Sequence, residues 1–545
     1  MHLASVRLIL AILAASPVAI MAQATGSVRG TVTDAGTGQP IASAQIRIDG
    51  TTIGVLSGQN GEYLIPAVPV GQRVVIARRI GYGELRRTVS VVEGGTATVD
   101  FAMSGVAVTL GEVVVTGTGA PTEKRAVGNS IGSVDSASIQ RASATTIDQA
   151  LQGKIAGAQI SQNSGNPGGG GISVRLRGTS SFISGSDPLY IVDGVIVDNS
   201  SATLRDLGAR SNVQNRLADL NPADIARIEI IRGAAAAALY GSRANNGVVQ
   251  IFTKRGSVGK ARVTYQTRVS TSEAPTELGI NNFSTDAAGL PVANRIDLQD
   301  QLFRRGSTYE NNLSLDGGTD QTRYYINGTW TDEKGIFEST SSSRKGGRIN
   351  LTQTITPKLN VDLGANFVNT HNEFQINGEQ TGVLTSFLFN PTTFDPSPVA
   401  GVFPFAPILN PNPLLQLGRF SNPQDINRFI GSVQARWNPL SRLALNYTFG
   451  YDGYSLEQSQ FIPRGAFPSG PTANGLSANS IRNSRILNQD ATANYVSPWR
   501  DFQFTTSGGF NYTEQRLRTT SAAATDLIPV VEVVSAGATP SASQS

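Results

Sequence analysis

Two histidines and no cysteine restrict the chemistry open to this 545-residue chain. His2 lies in the N-terminal leader and His371 at a predicted strand end, so no imidazole cluster can hold a metal or serve a nucleophile. Without thiols there is no disulfide and no thiolate metal site. No Gly-x-Ser-x-Gly elbow presents a serine, and the carboxylates are scattered. Asp187, Asp193 and Asp198 come nearest to an acidic cluster, but their spacing departs from a Ca²⁺ loop and suits turns or strand ends. The run Gly168–Gly171 offers backbone N–H groups to an anion, yet no Lys-Ser/Thr follows it, so a loop is expected. These residues argue against an enzyme, and neither a metal nor a cofactor is expected.

The chain that carries them is β-prone. Charged residues make up only 15%, Gly numbers 58, and the net charge of +4 is too small for a nucleic-acid surface, so no nucleic-acid partner is expected. Arg7 precedes the apolar run Leu8–Ala22, and Ala22-Gln23-Ala24 offers small residues for cleavage. Residues 1–24 therefore read as a secretory signal peptide. No later stretch approaches the ~18 consecutive apolar residues of a spanning helix, so entry into a membrane would require a β-barrel.

Four regions follow. Residues 25–105 alternate short β-prone segments with turn signals, predicting a small β-sandwich whose turns fall at Gly54, Gly58, Gly61 and Gly71. In residues 109–120, Val113–Val115 is bounded by Gly111, Gly117 and Gly119. Such a segment suits an edge strand of the sandwich, or a segment added to an external sheet by β-augmentation. Residues 121–256 mix short helices and strands in an α/β unit. Ile147, Leu151 and Ile155 mark an amphipathic helix that Thr146 could cap. A Pro-started turn, a strand at Arg227–Arg232, an Ala-rich helix and a strand at Gly247–Lys254 come next.

From residue 257 to 545 the texture is paired and alternating. Leu359, Val361, Leu363, Ala365 and Phe367 share one face, with Asn360, Asp362, Gly364 and Asn366 opposite. Leu443–Tyr451, Tyr324–Trp330 and Phe502–Tyr512 repeat the pattern. A half-buried soluble sheet or a lipid-facing barrel would both show it. Short turns at GGTDQ, TPK, NPLS and SPWRD alternate with long connectors at Thr271–Ser307, Asp332–Lys345, Asn372–Asn427 and Ser455–Ser484. That alternation favours an outer-membrane barrel, with Trp437, Tyr495, Trp499 and Phe502 as an interfacial girdle. About nine strands of ~10 residues are expected, an odd count for a closed bacterial barrel. The close, VVEVVSAGATPSASQS, offers no aromatic terminal strand, so the chain reads as the N-terminal part of a longer protein with an incomplete barrel. Arg175, Arg177 and Arg232 would bind an anion, or position the α/β unit against acidic groups in the barrel lumen.

The strings PLYIVDGVIVDN (Pro188–Asn199) and LYGSRANNGVVQIFTKRG (Leu239–Gly256) resemble the plug domain of SusC/RagA-type TonB-linked outer-membrane proteins. Their plug-motif positions here are Tyr190, Asp193, Gly194, Tyr240, Gly241, Arg243, Asn246 and Gly247. VRGTVTDAGTGQPIASAQIRIDGTT resembles the carboxypeptidase-regulatory-like sandwich that precedes such receptors, and it implies no peptidase. TLGEVVVTGTGA is similar to the family's TonB box, with Gly111 where Asp is usual, which would give Glu112, Val113, Val114, Val115, Thr116 and Gly117 the contact with TonB. The resemblance implies a barrel of roughly 22 strands in the outer membrane and its lipid. It also implies energy from the TonB-ExbB-ExbD complex, a SusD-like surface lipoprotein and import of an oligosaccharide or peptide nutrient. A siderophore or cobalamin receptor of the same general build, and a surface adhesin without transport, are the competing readings.

Overall fold

The computed structural model describes residues 24–544 apart from short stretches, chiefly 104–112, 116–120, 124–131, 179–185, 201–214 and 233–239. The expected leader lies outside the described residues except for Ala24, and the Ala-rich helix also lies outside them. The chain divides into two compact units, one ending at Val113 and one starting at Val114.

The first unit is the expected sandwich. One sheet joins Glu62–Pro69, Thr25–Asp34 and Thr96–Thr98, with Phe101–Met103 also on the long first strand. The other orders Gly54–Leu56, Gln45–Ile48, Gly71–Arg78 and Leu85–Val91. Alternate residues from both sheets, including Val28, Val32, Ile46, Ile48, Ile65, Val75 and Phe101, close one dry core. Tyr63 enters it because its hydroxyl donates to the Val99 carbonyl at 2.6 Å. Of the four glycines expected at turns, Gly61 and Gly71 have positive φ. Gly54 instead starts a strand, where a Cβ would lie 2.8 Å from the Ile46 carbonyl oxygen.

The second unit begins with an α/β layer. Its five-stranded sheet runs Gly132–Asp135, Ile225–Ile231, Val248–Thr253, Leu189–Val192, Val195–Val197. All neighbours are antiparallel except Leu189–Val192 on Val248–Thr253. Val134, Ile147, Leu151, Ile155, Tyr190, Val192, Ile228 and Ile230 fill one side. Ile191, Ile196, Ile231 and Val248 pack on the other. Ile147, Leu151 and Ile155 thus share a core as their spacing predicted. Thr146 does not cap: it is buried and its Oγ1 has no hydrogen-bond partner. The strand expected at Arg227–Arg232 starts earlier, at Ile225, because Asn221 caps the 3₁₀ turn Pro222–Asp224 (Ala223 N to Asn221 Oδ1, 3.0 Å) and sets the strand's entry.

The rest is one antiparallel sheet in sequence order, from Gly259–Ser272 to Gly537–Gln544. Ten strands form it among the described residues, not nine, and Gly537–Gln544 is the strand the alternation had failed to reveal. That segment is Ser/Ala-rich and shows no alternating pattern, but pairing with Thr520–Leu527 satisfies its backbone. The preceding nine strands run from 13 residues to 26, well beyond the expected ten. Their excess lies in the supposed loops: Leu443–Ile462 and Leu476–Trp499 absorb most of Ser455–Ser484. Three of the short turns fall where expected, at 319–321, 357–358 and 441–442, and at the fourth Trp499 pairs with Phe502 across residues outside the described ones.

Burial resolves the ambiguity of the alternating faces. In Leu359–Glu373, Phe367 is 52% exposed whereas Asn366 is 4% and Asp362 4% exposed. Leu363, Val433, Ile349, Trp330 and Phe510 are likewise exposed, while Arg348, Asn350, Arg428 and Asp452 are buried. A soluble sheet would bury the first set. Here the polar face is covered by the α/β layer and the apolar face is left for lipid. No helix among the described residues is long and apolar enough to cross a membrane, so only the strands offer a span.

Candidate functional site

The LYIVDG motif seats the α/β layer against the strand wall. Val192 pairs with Val195, leaving Asp193 and Gly194 as a two-residue turn. Both have positive φ (46° and 84°), the geometry of a type I′ hairpin that Asp-Gly favours. The Asp193 carboxylate then accepts from the Thr253 N–H at 3.0 Å and from its hydroxyl at 2.5 Å, tying the hairpin to the neighbouring strand. Arg348 of the wall stands 3.7 Å from the same carboxylate. Gln434 donates to the Asp193 carbonyl, and Asn488 accepts from Ile196 N at 3.2 Å. A Cβ at Gly194 would lie 3.1 Å from the Gln434 amide nitrogen, so the missing side chain lets the turn seat against the wall.

The LYGSRANNG motif works mostly within the layer. Tyr240 accepts from the Gln250 amide nitrogen, and burial first, then nearby carboxylates, holds its hydroxyl up at about 12. Asn246 donates to the Asp187 carbonyl at 3.3 Å. Gly247 has φ +95°, and a Cβ there would lie 2.7 Å from Leu176 Cδ1 and 2.9 Å from the Ile231 carbonyl oxygen. Gly247→Val is therefore expected to destabilise the layer by about 2–4 kcal/mol, combining backbone strain with overpacking. Hydrogen exchange at Val248–Thr253 measures it; unchanged protection would refute it. Gly241 (φ +73°) and Arg243 are exposed, and Gly241 has open space around it.

Below the hairpin lies an ionic knot that the sequence did not reveal. Arg428, 1% exposed, meets Asp452 through two bonds of 2.8 Å each. It also donates to Asp219 at 3.0 Å, to the Arg216 carbonyl at 2.5 Å and to the Asp198 carbonyl at 3.0 Å. Arg216, equally buried, lies 3.4 Å from Asp219, and Tyr454 presents its ring to both guanidinium groups at about 6 Å. Burial alone would raise the Asp198 carboxyl. Bonds from Ser200 N (2.7 Å) and Ser484 Oγ (2.9 Å), together with the Arg428 charge, instead hold it below the usual range. A second group centres on Asp224, which accepts from Tyr325 (3.1 Å), Asn327 (2.7 Å) and Arg348 (3.4 Å). The three aspartates read as a loose cluster therefore do separate work, since Asp187 instead accepts from Val174 N at 3.2 Å.

The arginines expected to face lumen carboxylates are placed differently. Arg175 acts on Asp187 within the layer, Arg177 lies outside the described residues, and Arg232 Nε is buried without a partner. Arg255 makes the contact instead, 2.6 Å from Asp362 of the wall. Gly168 N–H donates to Glu333 at 2.9 Å, so a wall carboxylate occupies the position open to an anion. Of the TonB-box-like segment, Val113–Val115 is a strand paired with Pro121–Glu123 and not with either sandwich sheet. Glu112, Thr116 and Gly117 lie outside the described residues.

The comparisons with known proteins fall on the same segments. The TonB-dependent receptor plug domain model matches residues 123–248, and the carboxypeptidase regulatory-like domain model matches residues 27–104. The TonB-dependent receptor SusC of Bacteroides thetaiotaomicron is 30% identical over 370 residues, covering 65% of this chain and 35% of SusC. TonB-dependent receptor P39 of Formosa agariphila is 31% identical over 60% of this chain and 30% of its own. Among solved structures, the RagAB peptide importer in its open-open state shares the fold with a TM-score of 0.62 at 21% identity, covering 80% of this chain and 53% of that one. The chain thus spans about a third of the length of these curated relatives. The plug match, the regulatory-like domain match and the likeness to SusC together support a SusC/RagA-type TonB-dependent receptor.

Proposed function

We propose that the protein takes part in TonB-energised import of a nutrient, an oligosaccharide or a peptide, across the bacterial outer membrane. The observation that carries this reading is a plug held in the polar concavity of a lipid-facing sheet by buried ion pairs and hydrogen bonds. Such contacts exchange for water at modest net cost, unlike an apolar core, and so suit an element that must be displaced. The segment Glu112–Gly117 would receive TonB, itself driven by ExbB and ExbD, by strand addition. A SusD-like lipoprotein would cap the outer face. The SusC and RagAB likenesses support both substrate classes without choosing between them.

The test is binding of a Thr109–Ala120 peptide to the periplasmic C-terminal domain of TonB, with Val114→Pro as control. Pro removes a ladder donor, so binding is expected for the native peptide and lost for the control. No binding at millimolar peptide would overturn the energy-coupling step.

A further inference from the structure

The outward face of the sheet carries a built polar depression where its apolar band ends. On Leu443–Ile462 the band runs Leu443, Leu445, Tyr447, Phe449, Tyr451, roughly nine residues and close to the ~9–11 that a tilted strand needs to cross. Register continues it across the neighbours: Val433 pairs with Phe449 and Leu487 with Tyr451, Phe367 pairs with Phe429 beside Gly453, and Tyr512 pairs with Gln489, the partner of Phe449. These residues mark the boundary on the side of the long connectors, which in barrels of this kind faces outward from the cell.

Just past that boundary stands Gly453, over which the Tyr451 ring lies: a Cβ there would meet the Tyr451 hydroxyl at 2.5 Å. Around it an open groove of about 940 Å³ is lined by Asn427, Ser455, Asn483, Arg485, Arg516 and Arg518. Register sets the orientation: Gly453 pairs with Arg485, which pairs with Arg516, while Ser455 pairs with Asn483, which pairs with Arg518. All therefore point to the lipid side, opposite Ser484 and Asn488, which bond the plug. Glu514 is the carboxylate in ion-pair contact with the group, 3.6 Å from Arg485 and paired with Arg516. Three cations against one anion leave the groove with a charge of +2. The next outward positions beyond Asn427 and Ser455 are acidic, Asp425 and its register partner Glu457, so the positive charge is confined to the three arginines.

We infer that this groove is a binding site for a phosphorylated lipid headgroup of the outer leaflet. Arg guanidinium groups offer paired donors matched to phosphate oxygens, and they lie at headgroup height beside the aromatic edge of the apolar band. Asn427, Ser455 and Asn483 supply uncharged donors and acceptors for a headgroup sugar. The acyl chains would run down the exposed faces of Tyr451, Phe510 and Tyr512. Bound lipid would brace the strand Leu476–Trp499, whose inner face holds Asp198 and Gly194 of the plug.

The experiment is native mass spectrometry of the protein purified from its own membranes. It is titrated with a bis-phosphorylated acyl-glucosamine lipid, with its dephosphorylated form, and with inorganic phosphate as competitor. The phosphorylated lipid is expected to bind at least about tenfold more tightly, and R485Q/R516Q/R518Q to remove that advantage. Arg482→Gln, whose side chain lies on the opposite face of the same strand, is expected to change nothing. Equal binding of the two lipids, or an equal loss in Arg482→Gln, would overturn the site. Full displacement by millimolar inorganic phosphate would show a free-anion site and overturn the lipid assignment. The three arginines are solvent-facing, so the folded mass and charge distribution of the variant should match the parent.

Discussion

Deleting Glu112–Gly117 is expected to reduce energised uptake of the nutrient to the level seen without TonB, with surface binding unchanged. The physical basis is strand addition. Each backbone hydrogen bond in such a ladder nets only about 0.5–1.5 kcal/mol, so several consecutive residues are needed to bear a pull. The Val113–Val115 run supplies β-branched residues for that ladder, and flanking glycines free its ends. Its described part, Val113–Val115, lies outside the sheets of the sandwich and outside the plug sheet, so its loss should leave the plug seated. Paired measurements of labelled-substrate binding and accumulation in cells read both quantities. Loss of binding together with uptake would show that the segment supports the fold, and retention of both would favour an adhesin.

The second large effect is Arg428→Ala. This substitution leaves the buried Asp452 carboxylate without its cation and Asp219 with Arg216 alone, and takes the donor from two plug carbonyls at Arg216 and Asp198. Removing one partner of a buried pair typically costs about 3–5 kcal/mol because the remaining charge is left desolvated. Much of that cost should fall on the plug turn Arg216–Asp219, which this guanidinium ties to the wall together with Arg344, a donor to the Ala218 carbonyl at 2.8 Å. Hydrogen exchange at Leu217–Leu220 would report it as a lowered opening free energy. Arg428→Lys keeps the charge but cannot satisfy the forked geometry, so it should restore only part of the loss. Combined with Asp452→Asn, Arg428→Ala should cost less than the sum of the two single changes, since the stranded charge is gone. Strict additivity would mean the knot is no coupled unit.

What was readable in the sequence is what short-range physics writes. Asp193-Gly194 declares a type I′ turn because φ is positive at both positions, a cost that Gly avoids and Asp tolerates. Leu359–Phe367 declares a two-faced strand because side chains alternate with period two. Pro222 after Asn221 declares a capped turn. Gly537–Gln544 carried none of these signals, and it is a strand only because Thr520–Leu527 stands beside it.

The sequence by itself determined the order of modules, the short turns, the two-faced strands and the hairpin that seats the plug. Those follow from backbone preferences within a few residues of chain. Tertiary structure decided which face of the strands is wet and which apolar face is left for lipid, because alternation is the same for both until the plug covers one. It alone brought Arg428 to Asp219, 209 residues away, and set Arg485, Arg516 and Arg518 around Gly453. A lone arginine reads as a solvated charge in any sequence. Its meaning comes from the dielectric and the partners around it, and those exist only once distant strands have paired.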